Sequence, residues 1–221
     1  MFIKKYLIAF GLPGFIFSGF AFADENQKTQ RFEADVTQAQ SINLEIPAGQ
    51  VAVVGTGGSK LIAEVKASCK DVKRSDKDAC QAVLNELDWS KKIGKNTEIG
   101  LVPEKITRYD NIQIEVRVSL PADKNVNVNL AAGDLSVEGT SACITASVNA
   151  GQLHLKLKES QLASAELHAK VGDATLTNPK GETRAGERSM LVGADLSWNK
   201  GTGACRAKAE VMAGAVHLTL Y

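Results

Sequence analysis

The chain has 221 residues and a formal net charge of +1, with 26 Lys and Arg against 25 Asp and Glu. That balance gives no electrostatic reason to expect nucleic acid or an anionic membrane surface as partner, and no nucleic-acid partner is expected. Six of the seven Phe fall within the first 23 residues. The remainder must therefore build its core from Ala, Val, Leu and Ile, which suits a thin interior.

Lys4 and Lys5 are followed by the apolar stretch Tyr6 to Phe20 and by the small-x-small site Ala21-Phe22-Ala23. This arrangement predicts a cleavable signal peptide over 1–23 and a β-repeat domain over 24–221 that is periplasmic, secreted or at the cell surface. An uncleaved anchor fits less well. Gly11, Pro13, Gly14 and Gly19 interrupt a stretch that is at or below the ~20 residues a spanning helix needs. No membrane-spanning segment is expected after cleavage.

Ile42, Leu44 and Ile46 alternate ahead of Gly49, and Val51 and Val53 continue after it, which predicts two short strands meeting at a corner. The run GTGGSK at Gly55–Lys60 lies between strands and reads as a turn. Ser75 to Gly94 reads as a helical insertion. Ser75 and Asp78 resemble a capping box, Ala79, Val83, Leu84 and Leu87 share a face, and Lys91 and Lys92 would sit in the last turn. Strands resume at Glu98 to Val102 and at Ile112 to Leu120.

From there the chain repeats itself. The segments AAGDLSVEG, NAGQLHLKL, KVGDATLTN, VGADLSWNK and MAGAVHLTL align Gly133, Gly151, Gly172, Ala194 and Gly214 at one corner position, about 20 residues apart. Alternating apolar residues flank each corner. Two all-β folds fit such a period. In a parallel β-solenoid (β-helix-like), equivalent residues stack at ~4.8 Å along the axis. In an antiparallel β-sandwich, the same strands pair as hairpins. The in-register recurrence of corner and core positions favours the solenoid.

The corners of the type AG-x-L-x-V, the opening IPAGQVAVVG and the alternating strand ending at Pro121 resemble an adhesin-like β-strand-repeat family of uncharacterised bacterial envelope proteins. The resemblance covers most of the chain after residue 23. It implies a β-solenoid in the periplasm or at the surface, and it carries no catalytic residue to this sequence.

Four cysteines in an exported chain invite disulfides. Cys69 ends a strand and Cys80 lies in the first turn of the predicted helix, so a Cys69–Cys80 bridge would staple the insertion to the β domain. Cys143 and Cys205 occupy nearly the same position three repeats apart. A solenoid separates such positions by about 14 Å, too far for a bridge, and this predicts two buried free thiols.

Three residues past each corner stand Ser136, His154, Thr175, Ser197 and His217, a polar row that reads as a solvated strand face or a candidate interaction face. In a solenoid His154 and His217 would lie too far apart to share a metal. Asp134, Asp173 and Asp195 follow the corners directly, where Asp favours turns. Two carboxylates at ~5–9.5 Å would instead suit sugar hydrolysis. No catalytic, cofactor or metal constellation stands out. A VHLTLY ending resembles an outer-membrane barrel strand, but five aromatic residues after position 23 cannot build two girdles. The sequence thus points to a non-enzymatic, adhesin-like or scaffolding envelope protein that binds an unknown protein or glycan. The alternative is a polysaccharide-active β-helix enzyme.

Overall fold

The computed structural model describes residues 26–69, 77–103, 112–189 and 192–221. The predicted signal peptide and Ser75 lie outside the described residues. Strands β1 (Gln27–Asp35), β2 (Ser41–Thr56) and β3 (Lys60–Cys69) precede the helix α1 (Lys77–Glu86). After it come β4 (Asp88–Lys92), β5 (Asn96–Val102) and β6 (Ile112–Pro121). Three long strands follow, β7 (Asn125–Glu138), β8 (Ile144–Leu157) and β9 (Leu162–Thr177). Short strands β10 (Thr183–Ala185), β11 (Glu187–Ser189) and β12 (Gly193–Trp198) lead into β13 (Cys205–Leu220).

The long strands bend where the sequence places its corners. In β7, Val126, Val128 and Leu130 are buried, and beyond the bend the inward phase shifts to Leu135 and Val137. Each long strand is therefore two arms that both face the core. Gly49, Gly133, Gly151, Gly214 and Gly172 stand side by side at the bend, with φ between +127° and +142°. A Cβ at Gly151 would overlap the carbonyl oxygen of Gly133, and one at Gly214 would overlap that of Gly151. Only glycine satisfies both the backbone angle and the close approach.

Lateral pairing then builds two layers from one continuous sheet. The first arms run β4-β5-β2-β7-β8-β13-β9-β12-β11, and the second arms run β1-β3-β6-β2-β7-β8-β13-β9-β10. The ladders from β2 through β9 are parallel. Those at the margins, β4 with β5, β1 with β3, β3 with β6 and β9 with both β10 and β12, are antiparallel. Buried Ile, Leu, Val and Ala side chains from both sets of arms form one core.

This arrangement corrects the solenoid expected from the repeat. The fold is all-β, with one short helix among the described residues, in a mixed parallel and antiparallel open sheet that is closer to the β-sandwich alternative. A solenoid adds each turn beside the last, whereas here β13 lies between β8 and β9. The excursion β10–β12 explains the order. After β9, the short strands pair with its outer edge, β10 on the second arm and β12 on the first. The chain then returns on the inner side, where β13 satisfies its backbone groups against β8 and β9 at once. The VGADLSWNK copy accordingly leaves the corner row. Ala194 pairs antiparallel with Ala169.

The helical insertion is shorter than predicted. It ends at Glu86, and Asp88–Lys92 is a strand that places Lys91 and Lys92 on β4 rather than in a last helical turn. Pairing with β5 and burial of Trp89 outweigh helix continuation there. Val83, Leu84 and Leu87 are buried on the face that the periodicity indicates. The Cys69–Cys80 disulfide joins α1 to the end of β3 with Cα atoms 6.1 Å apart, within the usual span.

Candidate functional site

Alternation beyond the corner sends every second side chain of the second arms outward, and the parallel register aligns them. One residue past the corner lie, in lateral order, Gln50, Asp134, Gln152, Ala215 and Asp173. Two residues further lie Ala52, Ser136, His154, His217 and Thr175. Four of the five predicted row residues therefore stand together, in the order Ser136, His154, His217, Thr175. Ser197 does not join them. It sits on β12 opposite Glu166, on the other layer.

The two histidines, expected three turns apart, are direct neighbours. Their rings stack with centroids 4.9 Å apart and an interplanar angle of 17°. His154 Nε2 donates to Gln152 Oε1 at 3.1 Å, while His217 Nδ1 and Thr175 Oγ1 share a 2.6 Å hydrogen bond. Partial burial, and then the charge of neighbouring His154, hold the His217 pKa below the ordinary imidazole value, with Asp173 acting in the opposite sense. The signal that could have found this neighbour relation is local. Ala150–Leu157 reads AGQLHLKL and Ala213–Leu220 reads AGAVHLTL, the best-matched pair among the copies.

Beside the row runs a trough of about 350 Å³, with Ala52 and Ser136 lying low between Glu115 and Arg117 on one side and His154 on the other. Glu64 and Lys66 of β3 extend it, 3.4 Å from one another. Both signs of charge border it.

The outer face of the first arms carries a larger groove of about 960 Å³, lined in part by the β4–β5 hairpin. Asn43, Glu45, Asn129, Ser147, Asn149, Lys91, Lys92 and Glu98 are among its lining residues. Asn127 Nδ2 donates to Asn43 Oδ1 at 2.7 Å and Asn129 Nδ2 to Glu45 Oε1 at 2.6 Å, a ladder of side-chain bonds between β7 and β2. On the same layer His168 pairs with Asp195, a partnership no local spacing shows. The hydrogen bond from His168 is the main cause that holds the Asp195 pKa below the usual carboxylate range.

The carboxylates weighed for sugar hydrolysis are not paired. Asp134 and Asp173 are separated by Gln152 and Ala215, three strand spacings or about 14 Å at 4.8 Å each. Asp173 instead meets the Arg188 guanidinium at 2.9 Å, and Asp195 lies on the opposite layer. Among the described residues no group of three or more His, Cys, Asp or Glu is placed to hold a metal ion.

The fold is shared with a candidate cell adhesion protein of Clostridium sporogenes. That solved structure matches over 88% of this chain and 100% of its own, with a TM-score of 0.50 and 11% sequence identity. Candidate adhesins from Parabacteroides distasonis and Parabacteroides merdae cover 86% and 88% of this chain and 97% and 96% of their own. Their identities are 9% and 7%, and their TM-scores of 0.25 and 0.24 are too low to define a shared fold. The likeness to the Clostridium sporogenes protein is one of fold. No protein-family model matches the chain, and no curated protein matches it. Among the described residues no helix is long and apolar enough to cross a membrane.

Proposed function

We propose that the protein is an exported, non-enzymatic envelope protein that binds a partner protein through the outer face of its second arms. The observation that carries this reading is the lateral alignment of Ser136, His154, His217 and Thr175 across four adjacent parallel strands, next to the trough bordered by Glu115 and Arg117. A flat ladder of hydrogen-bonding side chains on a rigid sheet suits a broad contact surface better than a reaction site. The Cys69–Cys80 disulfide and the adhesin-like neighbour support placement outside the cytoplasm.

The test uses the chain immobilised on a resin and exposed to envelope extract of the producing cell. Ser136→Arg plants a bulky charge in the row and is expected to abolish retention of the bound protein, while Thr145→Arg on the other layer leaves it unchanged. Retention indifferent to Ser136→Arg would remove the second-arm face from the reading. Protease treatment of intact cells then separates surface from periplasmic placement.

A second reading has its own support. The 960 Å³ groove is lined by amide, carboxylate, hydroxyl and ammonium groups suited to sugar hydroxyls. A glycan partner would be retained by wild type and lost on Asn129→Arg. The polysaccharide-active alternative rested on analogy with a β-helix, which the mixed sheet removes, and Asp134 and Asp173 are not paired.

A further inference from the structure

The two remaining cysteines lie where the repeat reading did not put them. Cys205 opens β13 and Cys143 immediately precedes β8, and these strands pair in parallel from Ala207 opposite Ile144 onward. One step back along that register brings Arg206 opposite Cys143, with Cys205 on the next diagonal. At the usual strand spacing and rise this is about 6 Å between Cα atoms, inside the range a disulfide spans. Strict alternation would point the two side chains to opposite faces, but Cys143 lies outside regular strand and Cys205 is the first residue of β13, so alternation does not bind the pair. The β13–β9 ladder shifts register between Cys205 and Arg206, and Cys143 lies in the connection after β7. Cys143 is held by both backbone groups: its N–H donates to Asn125 Oδ1 at 3.3 Å and its carbonyl accepts from Val126 N–H at 3.0 Å. Both side chains are half-buried, and neither is joined to another cysteine. Burial, then the hydrogen bond that the Cys205 thiol donates to Cys143 and the charge of Cys143, push the Cys205 thiol up to about 11.

We propose that Cys143 and Cys205 are a dithiol site that closes to a second disulfide in an oxidising compartment, joining β8 to β13. The oxidant is a disulfide, either small or on a protein. Cys143 as thiolate attacks one of its sulfurs and expels the other as a thiolate, giving a mixed disulfide. Cys205 loses its proton and attacks the Cys143 sulfur, and the second half of the oxidant leaves. Two protons and two electrons pass from the cysteines, and the oxidant ends as two thiols. Since β8 and β13 also carry His154 and His217, the bond fixes the two strands at the centre of the proposed face.

The test starts from fully reduced chain, treated with oxidised glutathione under native conditions, alkylated with iodoacetamide and digested with trypsin without reductant. Trypsin places Cys143 in peptide 125–156, Cys205 in 201–206, Cys69 in 67–70 and Cys80 in 78–91. The expected result is peptide 125–156 linked to 201–206, two hydrogens lighter than the reduced pair, alongside 67–70 linked to 78–91. In Cys143→Ser, Cys205 should carry the alkyl group or glutathione, with the Cys69–Cys80 link intact. Labelled Cys143 and Cys205 in wild type whose Cys69–Cys80 bond has closed would overturn the proposal. So would any link from either residue to Cys69 or Cys80.

Discussion

His154 and His217 stack at 4.9 Å on adjacent parallel strands, although the long strand β9 and an excursion of three short strands separate them in the chain. Two stacked imidazoles resist carrying charge together. His217, already held low by burial, is the one that gives way.

The pair therefore makes the fold sensitive to acid. His217 titrates lower folded than unfolded, so the native state resists a proton that the unfolded chain accepts. The native state keeps its full stability above the ordinary histidine pKa and loses part of it as pH falls through the depressed folded value. Thermal melts of wild type should fall between pH 7.5 and 5, and His217→Gln should flatten that dependence. An NMR titration should show the His217 midpoint moving up in His154→Ala.

The glycine row sets a steep contrast between positions. Gly151→Ala forces a side chain into φ +139° and onto the carbonyl of Gly133, and is expected to cost roughly 3 kcal/mol or more. Gly57, in the turn between β2 and β3, has open space around it. Gly57→Ala should stay within about 0.5 kcal/mol of wild type by chemical denaturation. Equal effects at the two sites would contradict the stacked bend.

Trp89 closes one end of the core, edge-on to Phe32 with ring centroids 5.5 Å apart, yet its buried Nε1 has no hydrogen-bond partner. Trp89→Phe removes that orphan donor along with some packing, so the two effects should offset to within about 1 kcal/mol. Trp89→Ala opens a cavity and should cost roughly 3–5 kcal/mol. Urea titrations of the three proteins distinguish these outcomes.

The Cys69–Cys80 bond closes a short loop and holds α1 against β3. Replacing both residues with Ser should lower stability by roughly 2–3 kcal/mol. Amide exchange should quicken first in Lys77–Glu86, while the parallel centre from β2 to β9 keeps its protection.

Much of this molecule can be read along the chain. Alternation marks Val126, Val128, Leu130, Leu135 and Val137 as inward, and the small residue between the two phases marks the bend. Both are local: a strand has period two, and a positive φ leaves little choice but glycine. The Cys69–Cys80 pairing is equally local, spanning one strand end and one helical turn. The helix boundary at Glu86 is not, because Trp89 is drawn into a strand by β5 and the core rather than by its neighbours in sequence.

Beyond the close match of Ala150–Leu157 to Ala213–Leu220, lateral order was out of reach of such signals for a definite reason. Every copy of the repeat offers the same inward pattern and the same glycine, so any two could lie side by side with similar burial. Which pairs form depends on the backbone edges the rest of the chain leaves open: β10 and β12 occupy the outer edge of β9, and β13 fills the inner edge between β9 and β8. That non-local choice put His217 against His154, Cys205 beside Cys143 and Ser197 on the opposite layer. A repetitive, all-β chain with glycine corners was determined by sequence. Its sandwich-like layering and the make-up of its outward polar row were decided only by which strand lies on which edge.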